Sequence, residues 1–341
     1  MRLGFLLLAT VLAPSAPSRE KVELRFGHFP NVTHAQGVIA HGLSRAGRGW
    51  FEERLGEDVE IEWYVYNAGP SAMEAMLAGS LDITYVGPNP ALNAHIKSEG
   101  EEVRIVAGAC SGGAALVVQS DGRIQKDADF KKKKIATPQL GNTQDVAARA
   151  WLESLGFEIT LTGGDALVLP TANADQLALF RKGDLDAVWT VEPWVSRLVL
   201  EAKGKVYLDE KTLWPETGGK YVTTHLVSSV EFAEQRAELL EKVVAAHVEL
   251  TRWINANPEE AKRLLNAEIA IETTKAIPAR ILDSAWERLE ITHDPVRASL
   301  IESAEAAHAA GFLEEKPDLS KIYDLRILNE ILVKNGQPEV L

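Results

Sequence analysis

Ile135-Ala136-Thr137-Pro138-Gln139-Leu140-Gly141-Asn142-Thr143-Gln144-Asp145 runs from an apolar stretch through a proline and glycine break into a capped helix start. Lys134–Thr137 has the composition of a buried strand. Asn142 is a side-chain cap, and Asp145, three residues on, can reach back toward it. Four other stretches follow the same order: Thr33-His34-Ala35-Gln36, Ser71-Ala72-Met73-Glu74, Asn89-Pro90 and Glu192-Pro193. The first two have capping-box spacing. Pro90 and Pro193 suit a first helical position, where a missing N–H costs nothing. A helix start offers unpaired amides and the positive end of the dipole, so it accepts an anion readily. Several such ends in one cleft predict a site for a small anionic or strongly polar ligand.

Outward from these stretches, short apolar runs alternate with helical patterns. Strands are expected at Val22–Gly27, Val59–Tyr66, Ile83–Val86, Val103–Ala109, Ala115–Gln119, Lys134–Thr137, Ala166–Leu169, Ala187–Val191, Val206–Asp209 and Tyr221–Ser228. Helices are expected at Thr33–Arg45, Ser71–Ala78, Pro90–Ser98, Thr143–Leu155 and Asn173–Lys182. This is an α/β pattern, expected to build mostly parallel sheets with ligands outside the carboxyl ends of the strands. Gly79-Ser80-Leu81-Asp82 before Ile83–Val86 is echoed by Gly183-Asp184-Leu185-Asp186 before Ala187–Val191. The echo points to two lobes of similar construction. From Glu231 onward only helices are expected, among them Phe232–Asn255 and Asp283–Glu290, packing on the lobes.

With 341 residues, 46% apolar and 25% charged, the chain suits two globular lobes. Its net charge of −13 excludes nucleic acid and anionic membrane surfaces as partners. Arg2, the apolar run Leu3–Leu12 and the small residues of Ala13–Ser18 read as a Sec signal peptide, cut after Ser15 or Ser18. The single cysteine, Cys110, allows no disulfide within the chain and is expected as a buried apolar residue. No cysteine follows the apolar run to carry a lipid, so a freely soluble extracytoplasmic protein is expected.

No Gly-x-Ser-x-Gly, Gly-x-x-x-x-Gly-Lys-Ser/Thr or His-Glu-x-x-His motif occurs. Gly108-Ala109-Cys110-Ser111-Gly112-Gly113 lacks the lysine of a nucleotide loop and fits a chain crossing or hinge. His28, His34 and His41 do not have zinc-motif spacing. His34 is either a ligand donor at a helix start or a loop histidine. Trp194 either walls a pocket or covers a sheet, and Glu192 either caps its helix or meets a ligand ammonium.

These stretches resemble the periplasmic solute-binding proteins of the sulfonate, taurine and nitrate import class. The resemblance rests on Gly27–Ala35, Ala78–Ile83 with Gly87-Pro88-Asn89-Pro90, Ile135–Asp145, Gly183–Ala187 with Val191–Trp194, and Gly311-Phe312 with Leu319–Leu325, in family order. It implies a type II periplasmic-binding-protein fold, two α/β lobes joined by a two-segment hinge near Ser111–Ala115 and Gly219–Thr224. Residues 1–18 would be the signal peptide, 19–114 with 221–341 the first lobe, and 115–220 the second. The implied ligand residues are Asn31, Thr33, His34, Ser71, Pro88 and Asn89 from the first lobe, and Gly141, Asn142, Thr143, Glu192 and Trp194 from the second. The implied partners are a small anionic ligand, a membrane permease and its cytoplasmic ATPase. Neither cofactor nor metal nor catalytic residue is implied, and a monomer is expected. An aliphatic sulfonate or taurine is the expected ligand, with nitrate, bicarbonate or a thiamine pyrimidine precursor as alternatives. No arginine lies in the five loops to pair with a sulfonate. A pyrimidine-synthase-like enzyme would need a cysteine-rich segment, which this chain lacks.

Overall fold

The computed structural model describes residues 21–309, 311, 313 and 315–340. The expected signal peptide at 1–18 and Phe312 of the late motif lie outside these residues.

The chain begins a first lobe with β1 (Val22–His28), β2 (Val59–Val65), β3 (Ile83–Val86) and β4 (Val103–Gly112). It crosses to a second lobe for β5 (Ala114–Val118), β6 (Lys134–Thr137), β7 (Leu167–Pro170), β8 (Ala187–Val191) and β9 (Lys205–Asp209). It then returns for β10 (Val222–Ser229) and β11 (Leu289–Ile291). One sheet has the order β11-β4-β10-β3-β1-β2, the other β7-β6-β8-β5-β9. The sheets are mixed rather than mostly parallel. β1 runs parallel to β2 and β3, and β6 to β7 and β8, but β4, β5 and β10, which flank the crossings, pair antiparallel with their neighbours. Strand direction follows from where the chain turns back between lobes, which local sequence does not encode.

The tail is not purely helical, because β11 pairs antiparallel with the end of β4. The expected helix Asp283–Glu290 is Ala279–Trp286 followed by that strand. Phe232–Asn255 is two helices, Val230–Gln235 and Ala237–Ala256, parted at Arg236.

Register decides how the first lobe packs. Phe26 pairs with Trp63 on β2, and the rings stack at 4.9 Å. Tyr85 on β3 lies 5.5 Å from the other side of Phe26. Neighbouring strands thus line up an aromatic row on one face, each pair adding about 0.5–1.5 kcal/mol beyond area burial. In the second lobe Trp189, fully buried, meets Trp151 edge to face at 5.7 Å.

The sequence echo is a shared device. Gly79 and Gly183 end their helices at φ of +68° and +80°. The aspartate that follows in each copy then clamps a neighbouring strand: Asp82 Oδ2 accepts from the Arg25 amide at 2.8 Å, and Asp186 Oδ2 from the Lys134 amide at 2.9 Å. Arg25 and Arg123 pair with the same two aspartates through their side chains.

Between β4 and β5 the chain passes through Gly112 and Gly113 at φ of +83° and +86°, left-handed values that favour glycine. The returning segment meets it there. The Gly112 amide donates to Tyr221 O at 3.1 Å, and the Ala114 amide to the Tyr221 hydroxyl at 2.8 Å.

Candidate functional site

A cleft lies where the carboxyl ends of the strands of both lobes face each other. The first lobe contributes Phe29, Asn31, Thr33 and His34 after β1, Asn67, Ala68 and Gly69 after β2, and Gly87 and Pro90 after β3. The second contributes Pro138, Asn142, Thr143 and Gln144 after β6, Asn173 after β7, and Val191 at the end of β8. Thr223 on β10 completes the lining. Each lobe presents helix starts because every one of these loops leads from a strand end straight into a helix.

The caps differ in detail from the sequence expectation. Asn31, not Thr33, caps the first turn: its Oδ1 accepts from the Val32 amide at 2.7 Å, and the α-helix runs Ala35–Arg45. The helix after β2 starts at Gly69, two residues before Ser71, and the one after β3 at Pro88, capped by Gly87. Proline rather than a capping box sets both starts, occupying a first-turn position whose N–H is redundant. Asn142 caps as expected, accepting from the Asp145 amide at 2.9 Å.

Of the residues singled out from sequence, the cleft brings together Asn31, Thr33, His34, Asn142 and Thr143. The other six do not line it. Ser71 is exposed and donates back to Ala68 O at 2.8 Å. Pro88 is buried, and Asn89 turns away to Ser303 O at 3.5 Å. Gly141 spends its amide on Asp145 Oδ2 at 3.0 Å. Trp194 packs on the second lobe's core beside Phe180 and Leu198, with the Arg197 guanidinium over its ring. Glu192 is fully buried and accepts from the Ser196 amide and hydroxyl, each at 3.0 Å.

Sequence reasoning missed Asn67 and Asn173 in the lining. Asn173 is the start of the helix Asn173–Lys182 and takes the place given to Glu192-Pro193 among the converging helix ends. Its signal was present, since Thr171-Ala172-Asn173 follows a strand as the other starts do. Its Oδ1 accepts from the Thr190 hydroxyl at 3.0 Å, which leaves the NH2 group for the cleft.

The lining is neutral: among the described residues no Asp, Glu, Lys or Arg is part of it. Burial holds His34 well below the usual histidine range, the nearby His28 adding to the effect, so His34 is uncharged. Its ring stacks on Phe29 at 4.2 Å, and its buried Nδ1 has no hydrogen-bond partner. Among the described residues the amides of Thr143 and Gln144 and the Thr143 hydroxyl also make no hydrogen bond. Unpaired polar groups at a helix start are what an oxoanion satisfies, at about half a positive charge per helix end.

Glu192 sits beside the hinge in a contact between lobes. Arg288, just before β11, lies 3.0 Å from Glu192 Oε1 and 3.2 Å from Asp209 Oδ2. Ser284 donates across to Ser196 Oγ at 2.9 Å, and Lys220 pairs with Glu290 at 2.7 Å. The tail therefore ties the lobes together as well as covering them. Burial pushes the Glu192 carboxyl up to about 7. Away from the cleft, His28, His41 and Glu272 bring three donor atoms together in a group that has the residue types to hold a metal ion.

Two α/β lobes around a cleft of helix starts, joined by two crossing segments, make this a type II periplasmic-binding-protein fold. The chain belongs to the NMT1-like family, which it matches over residues 17–270. It is 25% identical over 302 residues to an aliphatic sulfonates-binding protein of Escherichia coli (strain K12), covering 88% of this chain and 86% of that relative. The alkanesulfonate-binding protein SsuA of Xanthomonas axonopodis pv. citri, solved bound to MOPS, superimposes with a TM-score of 0.71 at 20% identity, covering 90% of this chain and 99% of that one. The periplasmic nitrate-binding protein NrtA of Synechocystis PCC 6803 gives 0.70 at 15% identity, over 92% and 89%.

Proposed function

We propose that this chain is the extracytoplasmic binding component of an ABC importer that captures a small sulfonate between its lobes and presents the closed form to a permease. The observation that carries the reading is the convergence of helix starts from both lobes on a cleft lined by no charged side chain. Neutral amides and hydroxyls bind an oxoanion without the desolvation cost of a buried cation, and release it when the lobes part. The names of the sulfonate-binding relatives support the same ligand class. Of the two ligands expected from sequence, an alkanesulfonate fits better than taurine. No carboxylate lines the cleft to pair with an ammonium, because Glu192 is committed to Ser196 and Arg288. Export through the N-terminal signal and work without turnover belong to the same reading.

A thermal-shift screen of alkanesulfonates, taurine, nitrate, bicarbonate and thiamine pyrimidine precursors tests it. A ligand at 100 times its dissociation constant adds about 2.7 kcal/mol of stability. Alkanesulfonates should give the largest shift and taurine a smaller one. A shift confined to nitrate, bicarbonate or a pyrimidine would contradict the proposal.

A further inference from the structure

Behind the cleft, His28 at the end of β1, His41 in the helix Ala35–Arg45 and Glu272 at the end of the helix Pro258–Glu272 meet with their side chains buried. His28 Nε2 lies 2.9 Å from His41 Nδ1 and 3.2 Å from Glu272 Oε1. His41 Nδ1 lies 2.9 Å from the same Glu272 oxygen. With the Glu272 carboxylate ionised, protons cannot satisfy this triangle. If both nitrogens donate to the carboxylate, two N–H groups face each other at 2.9 Å. If only His41 donates, His28 Nε2 and Glu272 Oε1 remain as two acceptors 3.2 Å apart. A cation at the centre accepts all three lone pairs. Ligands at zinc distances in a tetrahedron stand about 3.3 Å from one another, close to the separations seen.

We propose that His28 Nε2, His41 Nδ1 and the Glu272 carboxylate form a zinc site that staples the first strand, the first helix and the helix Pro258–Glu272. Two imidazoles and a carboxylate are a zinc donor set. Two further observations support it. Glu272 Oε2 is buried with no hydrogen-bond partner, as expected of a carboxylate whose second oxygen also faces the ion. His28 Nδ1 lies 3.3 Å from Phe29 O, the acceptor that holds its proton there and turns the Nε2 lone pair inward. Phe29 is also the residue that stacks on His34 in the cleft, so the staple fixes one wall of the ligand site.

Arg45 opposes loading. Its Nη2 lies 3.0 Å from His41 Nε2, and a guanidinium can only donate. Ligation through Nδ1 puts the His41 proton on Nε2, so Arg45 must turn away while keeping its pair with Glu268. Arg45 therefore separates a metal site from a hydrogen-bond network, because its loss strengthens the first and weakens the second.

The test uses the mature chain stripped with EDTA and desalted. Zinc titration by calorimetry should give one equivalent per chain and raise the melting temperature, and Co(II) should give tetrahedral visible absorption. Glu272→Gln, which keeps the shape, should weaken zinc binding by at least about 100-fold, and His41→Gln should do the same. Arg45→Ala should bind zinc at least as tightly as the wild type. Should a ligand variant fail to fold, as judged by circular dichroism, wild-type Co(II) absorption and zinc stoichiometry still decide. Wild type without one equivalent of zinc, without tetrahedral Co(II) bands, or weakened by Arg45→Ala would overturn the proposal. So would wild-type zinc affinity in folded Glu272→Gln.

Discussion

Gly87 faces Thr143 across the closed cleft, so a single methyl group tests whether closure brings the two lobes onto one ligand. A Cβ added at Gly87 would lie 2.8 Å from Thr143 Oγ1, about 0.6 Å short of the 3.4 Å at which ordinary van der Waals contact begins. Gly87 caps its helix at φ −68° and ψ 160°, a conformation alanine adopts freely. Gly87→Ala therefore leaves the first lobe folded, the stiffer unfolded chain, worth about 0.4–1 kcal/mol, offsetting the loss of a preferred N-cap residue. The methyl must either hold the lobes apart or turn the Thr143 hydroxyl off the ligand. Either way one hydrogen bond is lost, costing about 0.5–3 kcal/mol, or roughly 2- to 150-fold in affinity. Calorimetric titration with the best sulfonate from the screen should show that loss, with the melting temperature of the empty protein little changed. Thr143→Ala alone should weaken binding by a similar amount, and adding Gly87→Ala to it should cost little more, since the obstructed oxygen is gone. Wild-type affinity in Gly87→Ala would refute the reasoning, and so would strictly additive costs in the double variant.

Trp194→Phe should leave any ligand-induced fluorescence change in place, since Trp194 packs on the second lobe's core outside the cleft; loss of most of the change would place the indole in the site. The contribution of Glu192 and Glu210 to stability should fall between about pH 5 and pH 7, against the rise that buried His34, His225 and His247 give as the unfolded chain loses its histidine protons. Burial raises the Glu192 and Glu210 carboxyls to about 7, so in that window the native state holds protons the unfolded chain has lost. Glu210→Gln should flatten part of that decline in a melting-temperature series. Arg288→Met should destabilise more at pH 8 than at pH 6, because only ionised Glu192 is left buried without its partner; equal losses at both values would count against the ion pair.

What the sequence made legible was local. Lys134–Thr137 with Asn142 and Asp145 could be placed because strand, break and cap are adjacent in the chain and each residue type has one dominant use there. The helix Asn173–Lys182 was placed, but its start was not counted among the converging ends because its cap, Ala172, carries no side-chain acceptor. Gly69 and Pro88 begin helices earlier than the capping residues suggested, proline having set the boundary. Glu192 and Trp194 looked like site residues because they follow a strand. A tertiary partner, Arg288, takes the first, and the second lobe's core takes the other. β11 is three residues in a helical tail, visible only through its pairing with β4. The triangle of His28, His41 and Glu272 spans most of the chain, and no spacing rule reaches that far.

In the proposed function the helix starts of both lobes, with the unpaired donors of Thr143 and Gln144, hold one sulfonate. Calorimetric titration of ethanesulfonate into the purified mature protein, in parallel with Asn142→Ala and Thr143→Ala, tests it most directly. The wild-type protein should show a single site, weakened in both variants, with no comparable binding of ethylammonium. Absence of ethanesulfonate binding, or binding that both variants leave untouched, would contradict it.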